Sequence, residues 1–100
     1  MQIIQAEELK KRIDNQEQIY LIDVREPGEH AAYNIGGILL PLGKIQSMLI
    51  DEIEDLREVE IICYCRSGQR SMQAMMLLTS IGFKNVKNLV GGMLEWQSKF

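Results

Sequence analysis

Cysteine is scarce in this chain, with two in 100 residues, and so are proline (two), histidine (one) and aromatic side chains (6%). Each shortage excludes something. Cys63 and Cys65 stand two positions apart on one predicted strand, too close to staple distant parts of a fold, which rules out a secreted disulfide scaffold. Their C-x-C spacing is also not the C-x-x-C of dithiol redox motifs. His30 has no Cys, Asp or Glu neighbours at ligand spacing, so no metal is expected, and it reads as a surface or helix-packing residue. No cofactor is expected either. No apolar run approaches the ~20 residues needed to span a bilayer. The segment from Met1 to Glu8 lacks the basic and apolar regions of a signal peptide. The cytoplasm is the default compartment, and no membrane partner is expected. Positive charge is also in deficit, with 11 Lys and Arg against 14 Asp and Glu and a net charge of −3, which argues against a nucleic-acid partner.

What is present is the composition of one ordinary globular domain over residues 1–100, at 46% hydrophobic and 25% charged. Apolar, β-branched runs at 19–24 and 59–64 predict buried strands, with shorter candidates at 2–4, 38–40 and 86–89. Helical spacing falls between them. Ala6, Leu9 and Ile13 share one face of a first helix. Ile45, Met48, Leu49, Ile53 and Leu56 follow a helical rhythm that can break near Asp51. A broad apolar arc runs from Gln69 to Ile81, with Gly82 as its stop. Met93, Trp96 and Phe100 mark a last short helix, with Trp96 and Phe100 as core anchors. Met72, Met75 and Met76 read as core filling. Alternating strands and helices predict an α/β sandwich with a mostly parallel sheet, whose ligand site lies beyond the carboxyl ends of the strands.

Cys65 sits at such an end, and the segment after it carries the chemistry: Cys65-Arg66-Ser67-Gly68-Gln69-Arg70-Ser71, between a strand and a helix. A lone cysteine at a strand end is ordinarily a small buried hydrophobe. Two flanking arginines and a run of polar residues are of no use to such a cysteine. They suit a sulfur that faces the unpaired N–H groups of a helix start, in a loop that curls into a nest of amides. Gly68 permits the positive φ of that curl, and Arg66 and Arg70 add charge that favours thiolate.

This loop resembles the active-site loop of the rhodanese family. Asp23-Val24-Arg25-Glu26-Pro27 followed by Glu29 resembles the family's first signature, Gly36-Gly37-Ile38 part of its approach to the third strand, and Gly91-Gly92-Met93-Leu94-Glu95-Trp96 its closing signature. The resemblance implies a three-layer α/β/α sandwich, with a central sheet of five strands and helices on both faces. It also implies that Arg25 and Glu29 pair to fix the loop after the second strand, leaving Asp23, Arg25 and Glu29 in structural rather than acid–base roles. The resemblance further implies a persulfide on Cys65, with Arg66 to Ser71 forming the substrate cradle.

Loop length and charge narrow the chemistry. Phosphatases of the same fold use a C-x5-R loop, whereas Cys65 to Arg70 is C-x4-R, and Tyr64 stands where they commonly have His. The tighter loop favours sulfur over phosphoryl or arsenate chemistry. The two arginines suit the dianion thiosulfate, since guanidinium matches oxyanion geometry. The expected reaction is a two-step exchange in which Cys65 takes sulfur from thiosulfate and passes it to cyanide, a small thiol or a protein thiol. A relay module that moves persulfide between proteins with little turnover on thiosulfate fits the same residues. Cys63 reads as packing within the sheet, or as a partner that resolves an oxidised Cys65.

Overall fold

A computed structural model describes residues 2–100. In chain order the elements are β1 (Ile3–Ile4), α1 (Ala6–Asp14), β2 (Tyr20–Asp23), α2 (Pro27–Ala32), β3 (Ile38–Leu39), α3 (Leu42–Gln46), a 3-10 helix (Asp51–Leu56), β4 (Glu60–Tyr64), α4 (Gln69–Ser80), β5 (Asn85–Leu89) and α5 (Gly92–Lys99). The five strands form one sheet in the order β1-β5-β4-β2-β3, and every pairing is parallel.

Strand periodicity divides the core between the two faces of the sheet. On β4, Ile61, Cys63 and the following Cys65 point to one side, where Ile45, Ile53, Ala74, Met75 and Leu78 pack from α3, the 3-10 helix and α4. Ile62 and Tyr64 point to the other side, against Ala6 and Leu9 of α1 and Met93 and Trp96 of α5. Both faces of β4 are therefore covered, which is why this strand reads as an unbroken apolar run. The expected three-layer α/β/α sandwich is the observed one.

The chain reverses direction across the sheet at the β2–β4 boundary. From β2 it steps outward to β3, then returns to the far side of β2 as β4 and continues outward to β5. A parallel sheet opens a crevice at such a switch point, beyond the carboxyl ends of the two strands. Asp23 ends β2 and Cys65 follows the end of β4, so the two flank that crevice.

The helical rhythm from Ile45 to Leu56 breaks near Asp51, as expected: Met48 adopts φ 63° after the first short helix, and the 3-10 helix begins at Asp51. Two expectations need correction. Met75 is buried, but Met76 is 63% exposed, since α4 presents only one side to the sheet. Phe100 is 52% exposed and packs edge-on against Trp96 at 4.9 Å between ring centres, so Trp96 and Met93, not Phe100, anchor α5 in the core. The short helix α2 carries no buried residue, so it leaves no apolar stripe in the sequence to betray it.

Candidate active site

The Cys65 side chain is 1% exposed, lying beneath the loop that joins β4 to α4. The loop must curl because α4 starts at Gln69, four residues after the sulfur, with Gly68 at its N-cap in the left-handed region at φ 98°. A β-carbon there would sit 3.3 Å from the Gly91 nitrogen, so both the turn and its packing call for glycine. The curl turns amides onto the sulfur: Gly68 N–H donates to Sγ at 3.1 Å and Ser71 N–H at 3.4 Å, while the Ser71 hydroxyl lies 3.3 Å away. Burial pushes the thiol's pKa up. Hydrogen bonding from the Ser71 side chain and from the amides of Ser71, Gly68 and Ser67 outweighs it, and the net shift is down.

α5 and β5 hold this loop from below. Met93 N–H donates to the Cys65 carbonyl and Leu94 N–H to the Arg66 carbonyl, both at 2.9 Å. The start of α5 approaches so closely that a β-carbon on Gly92 would collide with the carbonyl oxygens of Cys65 and Arg66. From β5, buried Asn88 donates its amide to the Gly68 carbonyl at 3.2 Å and accepts a hydrogen bond from the Ser71 hydroxyl. Nothing in the sequence singled out Asn88. It stands in an ordinary strand, and only the parallel register that sets it beside Cys63 brings it under the loop.

The arginines divide their work in a way the spacing does not reveal. Arg70 is clamped by Glu29, Nη1 to Oε1 at 2.7 Å and Nη2 to Oε2 at 2.9 Å, tying the start of α4 to α2. That contact, with help from the Glu26 amide, holds the Glu29 carboxyl at a pKa of about 2. Arg66 is exposed and, among the described residues, has no side-chain partner. The expected Arg25–Glu29 pair is absent. Arg25 instead lies against Asp23 in a two-pronged contact at 2.9 and 2.8 Å, and reaches the Tyr33 carbonyl at 2.6 Å. Asp23 is fully buried, and its charge demands the nearest cation, which is Arg25 two residues on. Burial opposes the Asp23 charge, but Arg25 and His30 overcome it and lower its pKa. His30 Nδ1 lies 2.8 Å from Asp23 Oδ2, so this residue braces the crevice.

Cys63 is buried within the sheet, where desolvation pushes its thiol up to about 12. A shallow cleft beside the sulfur loop is lined by Ser67, Gly68, Gln69, Met72, Asn88 and Gly91. Among the described residues, no group of three or more His, Cys, Asp and Glu side chains gathers to hold a metal, and no helix is long and apolar enough to cross a membrane.

The fold is thus an α/β domain with a parallel sheet and a buried cysteine, cradled by loop amides, at its switch point. Residues 5–99 match the rhodanese-like domain family, and the chain belongs to it. A mitochondrial protein of Schizosaccharomyces pombe, named provisionally as a thiosulfate sulfurtransferase, is 36% identical over 91% of this chain and 72% of its own length. YrkF of Bacillus subtilis, named provisionally as a sulfur carrier protein, is 36% identical over 96% of this chain, which spans 51% of YrkF. Among solved structures, the human single-domain sulfurtransferase TSTD1 superposes with a TM-score of 0.83 at 27% identity, over 100% of this chain and 98% of that one. The chain's relatives are thus sulfurtransferases and sulfur carriers.

Proposed function

We propose that this chain is a sulfurtransferase of the thiosulfate type, with Cys65 as the catalytic residue and Arg66, Ser67, Gly68, Gln69, Arg70 and Ser71 as its cradle. The observation that carries the reading is the convergence of the Gly68 and Ser71 amides on Cys65 Sγ. In the first half-reaction the Cys65 thiolate attacks the outer sulfur of thiosulfate. A bond forms between Sγ and that sulfur, the sulfur–sulfur bond of thiosulfate breaks, and sulfite leaves with the bonding pair. The negative charge now rests on the outer sulfur of a Cys65 persulfide. In the second half, cyanide or a thiolate attacks that outer sulfur and the Cys65 thiolate departs, giving thiocyanate or a new persulfide. This is ping-pong covalent catalysis, and it needs no general base once the thiol has ionised.

Arg66 is the donor's recognition group in this reading, because Arg70 is already neutralised by Glu29. The same clamp weighs against phosphoryl transfer, which needs the loop arginine on the phosphate. Steady-state assay of thiocyanate from thiosulfate and cyanide tests the proposal: turnover that depends on Cys65 supports it. Robust Cys65-dependent hydrolysis of phosphate esters without thiocyanate formation overturns it.

The likeness to YrkF favours a second reading, a relay that takes persulfide from one protein and hands it to another. Loading of Cys65 from a protein persulfide but not from thiosulfate would select it.

A further inference from the structure

The hydrogen bonds around Asn88 fix the direction of every proton in the chain that ends at Cys65. The Gly68 carbonyl can only accept, so the end of Asn88 facing it at 3.2 Å is the amide nitrogen. The other end is therefore the carbonyl Oδ1, which can only accept, and the Ser71 hydroxyl must donate to it. Ser71 has a single hydroxyl proton. With that proton committed to Asn88, the hydroxyl presents a lone pair to Sγ at 3.3 Å, and in the neutral cysteine the thiol is the donor. Asn88 and Ser71 are both buried, so no bulk water relieves the competition. Ser71 helps ionise the cysteine only when it turns its proton from Asn88 to the sulfur, which strips Oδ1 of its donor.

We propose that Asn88 is a positioning residue for the sulfur chemistry: it competes with Cys65 Sγ for the Ser71 proton and so disfavours negative charge on Sγ itself. Sulfur loading moves that charge one atom outward, to the outer sulfur of the persulfide, and lets the Ser71 proton return to Asn88. Asn88 thereby tilts Cys65 toward its loaded state. The consequence for loading rests on the sulfurtransferase reading, but the competition concerns the unloaded cysteine and is measurable without any sulfur donor.

The charged and titratable groups around the sulfur are Arg66 on the loop, Arg70 on α4 with its partner Glu29 on α2, and Cys63 on β4. None of them is altered in the variants that follow. The test is the pH profile of Cys65 alkylation by iodoacetamide, read by peptide mass, for wild type, Asn88→Ala, Ser71→Ala and the double variant. Freeing Ser71 in Asn88→Ala is expected to shift the Cys65 midpoint downward, raising the thiolate fraction three- to tenfold at a fixed pH below it. The double variant should show no shift relative to Ser71→Ala. An unchanged or raised midpoint in Asn88→Ala overturns the proposal, as does an equal shift with and without Ser71, which would mean that Asn88 acts through loop shape alone. The wild type supplies a second measurement that needs no variant to fold. The side-chain carbonyl 13C signal of Asn88 should titrate with the Cys65 midpoint as its donor leaves, and a flat signal across that range contradicts the proposal.

Discussion

Arg70 and Glu29 grip each other through both prongs of the guanidinium and both carboxylate oxygens, across 41 residues of sequence. The pair joins the first turn of α4 to α2 and so fixes the far end of the sulfur loop. Glu29 also caps its own helix by accepting the Glu26 amide at 3.0 Å, which leaves the carboxylate little freedom to release its partner.

The contact has a definite pH signature. The Glu29 pKa is lowered in the folded chain to about 2, so the pair's contribution is complete above the carboxylate's unfolded value and is lost as pH falls toward 2. Both side chains are about one-third exposed, which limits the contribution to about 1 kcal/mol at neutral pH. Urea unfolding of Glu29→Gln should show that loss at pH 7 and a smaller gap to wild type at pH 3. A constant gap across this range would mean that the substitution acts through the helix cap rather than the ion pair.

Arg66 and Arg70 should separate in kinetics. Arg66→Ala is expected to weaken use of thiosulfate by about 1.5–3 kcal/mol in kcat/KM, the range for hydrogen bonds to charged groups, while leaving a small organic persulfide donor nearly unaffected. Arg70→Ala should depress both donors alike and lower the melting temperature, as expected of a loop staple. Reversal of the two patterns would assign donor recognition to Arg70.

Gly92 has no room for a single added methyl group. Its φ is 55°, and an added β-carbon would overlap the Cys65 and Arg66 carbonyl oxygens. Gly92→Ala should cost about 2–4 kcal/mol, combining left-handed strain with overpacking of backbone that cannot yield. Gly43 in α3 has nothing within 4 Å of such a carbon, so Gly43→Ala should be neutral or slightly stabilising. Chemical denaturation of the two variants side by side measures the contrast.

The sheet was legible because its strands are buried. Ile61, Ile62, Cys63 and Tyr64 are closed off on both faces, and burial of that kind writes an apolar run. The sulfur loop was legible because its chemistry needs an unusual residue set in seven consecutive positions. What stayed hidden depends on register and on side-chain direction. Asn88 acts at the loop only because β5 lies beside β4 in one register. The partners of Arg25 and Glu29 exchange because a fully buried carboxylate at Asp23 outcompetes a partly exposed one for the nearer guanidinium. Met76 and Phe100 fit an apolar rhythm, yet Met76 falls on the far side of α4 and Phe100 lies past the last turn of α5, where it covers Trp96 and stays half exposed.

Intact mass after incubating the reduced chain with thiosulfate, beside a Cys65→Ser control, tests the central claim most directly. The account predicts a gain of one sulfur atom in the wild type alone, removed by cyanide as thiocyanate. No gain, in a chain whose Cys65 still alkylates freely, would contradict thiosulfate as donor and leave the protein-fed relay in its place.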